Sequence, residues 1–80
     1  MSNMREDFIN ALRLNFKANI EKHRVNVESI MCNSVGIGEH GDLMDEMEKE
    51  ISKMADYADK LEMLDYFEAE VGPNKTVLKG

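Results

Sequence analysis

The positions of glycine and proline constrain this chain more than any other feature of its sequence. All five glycines and the single proline fall within residues 36–41 and 72–80. Because these two residue types most often end helices, the stretch before Gly36 and the stretch between Gly41 and Gly72 are free of strong helix breakers. A chain of 80 residues has room for one small domain. The sequence therefore predicts two long helices joined by a glycine-rich reversal.

The first stretch has the spacing of an amphipathic helix over about residues 3–32. Asn3 followed by Glu6 is the pattern that satisfies free backbone N–H groups at a helix start. The predicted apolar stripe recurs at helical intervals and comprises Phe8, Ile9, Leu12, Phe16, Ile20, Val27, Ile30 and Met31. Charged residues such as Arg13 and Lys17 lie mostly at the edges of this stripe or outside it.

The second stretch predicts a helix over about residues 42–70, with Asp42 as its N-cap. Its apolar residues alternate in steps of three and four, as in a heptad: Met44, Met47, Ile51, Met54, Ala58 and Leu61. Two matching stripes predict an all-α fold, an antiparallel, coiled-coil-like two-helix hairpin. The hairpin would occupy residues 1–72, with a loop at 33–41 and a tail at 73–80.

The predicted hairpin also fixes which residues face each other. Counted outward from the loop, facing residues have numbers that sum to about 74. This register places Phe16 against the small side chain of Ala58, and His23 near Ile51. We expect His23 to lie at the edge of the contact between the helices, because an imidazole is unusual at an apolar heptad position.

The loop contains GIGEHG, which has the glycine spacing of a dinucleotide-binding motif. That motif requires a preceding strand, whereas a helix is predicted here. Glu39 and Asp42 also place negative charge where a phosphate would bind. We therefore interpret Gly36, Gly38 and Gly41 as residues that permit the positive φ angles of a tight reversal.

Other chemical signals in the sequence are weak. Cys32 and His40 flank the loop, but one thiol and one imidazole do not make a zinc site. The acidic residues around Asp42 lack the ligand spacing of a calcium loop. No serine or cysteine lies within a recognisable catalytic motif. We expect no enzymatic activity, no cofactor and no bound metal.

Charge is unevenly distributed along the chain. The net charge is −6, and residues 35–71 hold twelve acidic against three basic side chains. Such a segment repels phosphates, so direct nucleic-acid binding is disfavoured. A single cysteine excludes an internal disulfide, and no leader pattern or run of about eighteen apolar residues is present. These features favour a cytoplasmic protein that does not span a membrane.

A two-helix hairpin would leave several apolar residues without a partner. On the first helix these lie opposite the main stripe, and on the second they point away from it. The candidate interaction residues are Ala11, Leu14, Ala18, Val25, Tyr57, Met63, Tyr66 and Phe67. We expect a second copy to cover them in a four-helix bundle, or a larger protein to do so.

The segment from about Asn26 to Phe67 resembles a recurring segment in short uncharacterised proteins of tailed phages that infect marine cyanobacteria and related hosts. The resemblance rests on the loop motif VGIGEH, Val35–His40, and on the helix-ending motif DKLE, Asp59–Glu62. The family commonly has proline where Ser34 stands. The resemblance implies a phage origin, and it implies no particular activity.

Two classes of function follow from these features. The first is an interaction module of a phage, acting as an oligomeric assembly or virion component. The second is an acidic host-takeover factor that binds and inhibits a basic, nucleic-acid-handling host enzyme. Either would act in the cytoplasm of the host cell, and the first also in the virion.

Overall fold

The chain forms two long helices that pack against each other. A computed structural model describes residues 3–33 and 40–69, in which α1 spans Met4–Cys32 and α2 spans His40–Ala69. These described ranges contain no strand. The predicted all-α helical hairpin is thereby confirmed. The loop residues Gly36 and Gly38, and the predicted tail, lie outside the described residues.

The first helix begins at the predicted cap. Asn3 has an extended backbone, with φ −92° and ψ 161°, and its Oδ1 accepts a hydrogen bond of 2.7 Å from the backbone N–H of Glu6. Glu6 and Asp7 place negative charge on the positive end of the helix dipole. At the other end, the side-chain amide of Asn33 donates to the carbonyl of Ser29 over 2.7 Å, which satisfies one of the last helical carbonyls.

The start of α2 differs from the prediction. Because the helix begins at His40, Asp42 lies within its first turn and not at the N-cap. Asp42 therefore acts through its charge near the helix dipole. Gly41 is helical as well, so the positive φ expected there is absent. A Cβ at Gly41 would meet nothing within 4 Å, so packing does not require glycine at this position.

On α1 the contact with α2 follows one strict heptad row. Its residues alternate in steps of four and three and are buried or partly buried: Ile9, Arg13, Phe16, Ile20, His23, Val27 and Ile30. We call the contact between the two helices the seam. Arg13 belongs to the seam row, contrary to the expectation, and its guanidinium pairs with Glu68 of α2. Phe8, Leu12 and Met31, which were expected in the stripe, are exposed.

On α2 the seam shares Met47, Met54 and Leu61 with the predicted row and differs from it at the alternate positions. The seam row is partly or fully buried and consists of Leu43, Met47, Glu50, Met54, Tyr57, Leu61 and Leu64; Tyr66, outside this row, is also partly buried. Three members of the predicted row, Met44, Ile51 and Ala58, are exposed instead, with Ile51 at 51%. Both rows have heptad spacing, but the observed row continues to Leu64, which is 5% exposed, whereas the predicted row meets Asp65.

This shift changes the facing pairs at the centre of the hairpin. Phe16 packs against Tyr57, with ring centroids 6.1 Å apart, and not against Ala58. His23 faces Glu50 and not Ile51. The register along the helices is therefore one residue from the predicted one, and a neighbouring face of α2 is turned toward α1.

The apolar core of the hairpin is thin. Within the described part of the chain, the buried apolar side chains are Ile9, Val27 and Leu64, and none is completely shielded from solvent. A pair of helices can bury one stripe of each member and no more. Ten large apolar side chains of the described residues are therefore exposed and available to a further contact.

Candidate self-association surface

Large apolar side chains cluster at the end of the hairpin where α1 begins and α2 ends. Phe8 and Leu12 come from α1, and Met63 and Phe67 come from α2. All four are exposed, Phe8 at 63% and Phe67 at 54%. We call this cluster of four residues the open-end face.

Two adjoining grooves run across the open-end face. One has a volume of about 280 Å³ and the other about 240 Å³. Leu12, Leu64 and Phe67 line both grooves, which makes them one continuous depression. Its floor includes the buried side chain of Leu64, so the surface is continuous with the seam.

The heptad positions explain why these side chains point outward. Leu12 directly precedes the seam residue Arg13, and Phe67 follows the seam residue Leu64 by three positions. Both therefore flank the seam without entering it. Their side chains would be covered by a neighbouring helix in a bundle of more than two. The groove lining also includes Arg5 and Lys60, and no carboxylate lines either groove.

Lys60 is held close to the seam by an aromatic ring. Its Nζ atom lies 4.6 Å from the centroid of the Tyr57 ring, within the range of a cation–π contact. The contact keeps the ammonium group beside the groove while the side-chain stem adds apolar area. The charged lining of the grooves is thus positive although α2 as a whole is acidic.

A polar layer interrupts the seam nearer to the loop than to the open end. The Nδ1 atom of His23 lies 2.6 Å from Oε1 of Glu50, and the amide of Asn26 donates to the same oxygen over 2.9 Å. Because an ionised carboxylate only accepts, Nδ1 carries the proton in this bond. The hydrogen bonds from Asn26 and then from His23 hold the pKa of Glu50 below its usual value. The His23 ring also stacks on Tyr57, at an interplanar angle of 16°.

This layer has the features of a structural contact. No group of three potential metal ligands occurs among the residues that the structure describes. The polar atoms buried in those residues all have hydrogen-bond partners. A satisfied polar pair in an apolar seam favours one register over alternatives. His23 was expected at the edge of the seam; it is instead buried within it.

The predicted interaction residues fall into three groups. The α1 residues Ala11, Leu14, Ala18 and Val25 are exposed on the side of the helix opposite the seam, as their spacing indicates. Met63 and Phe67 belong to the open-end face, and Tyr66 is partly exposed beside them in sequence. Tyr57 was expected to point away from the seam. It lies in the seam, because the row actually used on α2 includes it.

The structure describes only some of the predicted loop residues. Gly41 and Asp42 are exposed in the first turn of α2, and His40 begins that helix. Gly36 and Gly38 lie outside the described residues. The expectation for the whole loop therefore stays a prediction.

Two members of the open-end face, Phe8 and Leu12, were not recognised as surface residues from the sequence. They were assigned to the seam because a stripe of about 140° on a helical wheel includes them. The strict alternation of four and three from Ile9 to Ile30 was the signal that excludes them. Because a single partner helix covers only the seam row, Phe8 and Leu12 stay exposed.

Charge separates the two helices. α1 carries five basic and four acidic residues, a net charge of +1, whereas α2 carries three basic and ten acidic residues, a net charge of −7. Within the described residues, Glu50 and Glu68 are the carboxylates of α2 that hydrogen-bond to α1. The remaining acidic residues are mostly on the outer surface of α2.

Neither helix, over its described length, is apolar enough to form a membrane span. Comparison of the chain with protein-family models, with curated proteins and with solved structures finds no match.

Proposed function

We propose that this chain is a non-enzymatic self-association module of a phage, in which a second copy covers the open-end face and completes a four-helix bundle. The observation that carries the proposal is the open-end face itself. Phe8, Leu12, Met63 and Phe67 surround a continuous groove above Leu64, at the end of a hairpin with a thin core.

The energetics of burial support a second copy as the occupant. Covering a large apolar side chain contributes about 1.5–3 kcal/mol relative to leaving it exposed. A two-fold symmetric contact uses the same patch on both chains, so each stabilising contact occurs twice. The four side chains of the open-end face thus become eight in a dimer.

The outer side of α1 is a weaker candidate for the same contact. Ala11 and Ala18 are small and contribute little apolar area, and charged residues such as Glu21 and Arg24 lie nearby on the helix surface, paired with each other. The larger residues there, Leu14 at 69% and Val25 at 48% exposure, are eleven positions apart on the helix. No groove joins this side of α1 to α2 among the grooves described.

The biological role that we propose is assembly. The resemblance to short proteins of tailed phages supports a phage origin, and a small self-associating bundle suits a component that joins symmetric copies in the host cytoplasm or the virion. Such a role needs a specific apolar contact and no catalytic group.

Light scattering on purified protein tests the proposal. We expect the wild-type chain to have twice the monomer mass of 9.2 kDa, and Phe67→Glu to be a monomer that stays helical. Leu14→Glu is the matched control, since it places the same charge on a large residue that is also exposed, at 69% against 54% for Phe67, and lies outside the open-end face. A dimer that survives Phe67→Glu but dissociates in Leu14→Glu would move the interface to the outer side of α1.

The acidic surface of α2 supports a second candidate, a host-takeover factor that binds a basic enzyme. The net charge of −7 on this helix is the relevant observation. Binding of that kind weakens steeply when the salt concentration rises from about 0.05 to 0.5 M, whereas an apolar dimer contact persists. A monomeric chain that captures a basic host enzyme at low salt only would favour this second candidate.

A further inference from the structure

From the positions of the apolar and charged residues, we infer that the two copies pair about a two-fold axis parallel to the helices. In this arrangement both open ends lie at the same end of the bundle, and α1 of each copy packs against α2 of the other. The inference rests on the proposed self-association and specifies its geometry. Two independent features of the hairpin select it.

The first feature is the confinement of apolar residues to one half of the contact face. Residues seven apart lie on the same side of a helix, so the face that begins with Leu12 on α1 continues through Asn19 and Asn26. On α2 the face that contains Phe67 continues through Lys60 to Lys53 and Glu46 toward the loop. The face is therefore apolar near the open end and polar near the loop.

An axis parallel to the helices places the apolar half of one copy on the apolar half of the other. An axis perpendicular to the helices would reverse one hairpin, so full overlap would bury Phe8 and Phe67 against the polar half. Burying a polar group without a partner costs about 1–3 kcal/mol. Sliding the reversed hairpins until only the open ends overlap would avoid that cost, but it would leave most of both faces uncovered.

The second feature is the charge difference between the helices. With the parallel axis, α1 at +1 lies across from α2 of the second copy at −7. With the perpendicular axis, α2 lies across from α2, which brings two helices of −7 together. Like charges juxtaposed across a contact are destabilising, so the charge distribution favours the same axis as the apolar half-face.

The position of Cys32 allows a direct test of the axis. Cys32 is exposed at the loop end of α1 and is the single cysteine of the chain, so a spin label attaches there without any substitution. About twenty residues of helix separate it from Leu12, which is roughly 30 Å. Parallel pairing places both labels at the same level, within about 35 Å of each other, whereas reversed hairpins separate them by about 45 Å at full overlap and about 60 Å or more when only the open ends overlap.

The experiment is electron–electron resonance distance measurement on the labelled full chain, with its mass measured in the same buffer. A control label at Glu62→Cys, in a Cys32→Ser background, lies near the level of Leu12 and gives a short distance in both arrangements. A dimer with a short Cys32 distance supports the inference. A dimer with a long Cys32 distance overturns the inference and leaves the proposed function standing, whereas a monomer overturns both.

Discussion

The imidazole of His23 and the carboxylate of Glu50 form a 2.6 Å hydrogen bond across the seam between α1 and α2. Each residue occupies a heptad position that is apolar in most of its neighbours. A shift of α2 by one turn would separate the two groups and leave both buried without a partner. The pair therefore fixes the register in a seam whose methionines would tolerate several.

The Glu50 contact predicts a specific acid sensitivity. The pKa of Glu50 is lowered by hydrogen bonds from Asn26 and His23, so the folded state binds this proton less readily than the unfolded state. The resulting stabilisation is present above the ordinary glutamate pKa of about 4.3 and is lost as the pH falls through the lower, folded value. Urea unfolding followed by circular dichroism at a series of pH values below about 5 measures this loss.

Glu50→Gln removes that titrating group, so the variant is expected to lose less stability than the wild type over the same acid range. Glu48→Gln serves as the control, because it removes an exposed carboxylate two residues earlier on α2. Identical acid dependence in Glu50→Gln and the wild type would show that the contact does not stabilise the fold.

Val27 tests the seam itself. Its side chain is buried, and Val27→Asp would place a carboxylate with no partner among apolar residues. With so thin a core, a loss of about 3 kcal/mol or more is expected to unfold most of the chain. Far-ultraviolet circular dichroism at neutral pH should show loss of helix in this variant and full helix content in Glu48→Lys. Retained helicity in Val27→Asp would mean that Val27 does not lie in the seam.

Leu64 and Ile51 distinguish the observed face of α2 from the one that the sequence predicted. Leu64 is buried and Ile51 is half exposed, so Leu64→Ala should cost about 2–5 kcal/mol and Ile51→Ala less than about 1 kcal/mol. Chemical denaturation of both variants at one protein concentration measures the difference. A larger cost at Ile51 would restore the predicted row as the seam.

The number and approximate extent of the helices could be predicted from the sequence because helix breakers mark their ends. The Asn3 cap was predictable for the same local reason, since it depends on residues three positions apart. The α1 row through Phe16, Ile20 and Val27 was also predicted correctly. These features depend on a single helix and its own periodicity.

The face of α2 could not be predicted with the same certainty. Two rows with heptad spacing share Met47, Met54 and Leu61, and the predicted one was wrong at the positions between them, where it used Met44, Ile51 and Ala58. The correct row contains Glu50, whose partner His23 is far away in the sequence. His23 was recognised at a heptad position from its spacing alone, whereas Glu50 is explained only by its contact with His23, which is tertiary information.

The open-end face could be predicted only in part for a related reason. Met63 and Phe67 were recognised as lying outside the seam, whereas Phe8 and Leu12 were assigned to it. Whether a residue that flanks the seam is covered depends on how many helices pack around it. The number of helices that pack around the seam cannot be read from a single sequence.

We propose that a second copy completes the apolar core of the hairpin. The decisive test is thermal unfolding of the wild-type chain, followed by circular dichroism at protein concentrations that differ about 100-fold. Because association stabilises the folded chain by mass action, by up to roughly 2.7 kcal/mol over that range, the midpoint is expected to rise with concentration. A midpoint that is the same at both concentrations would contradict the claim.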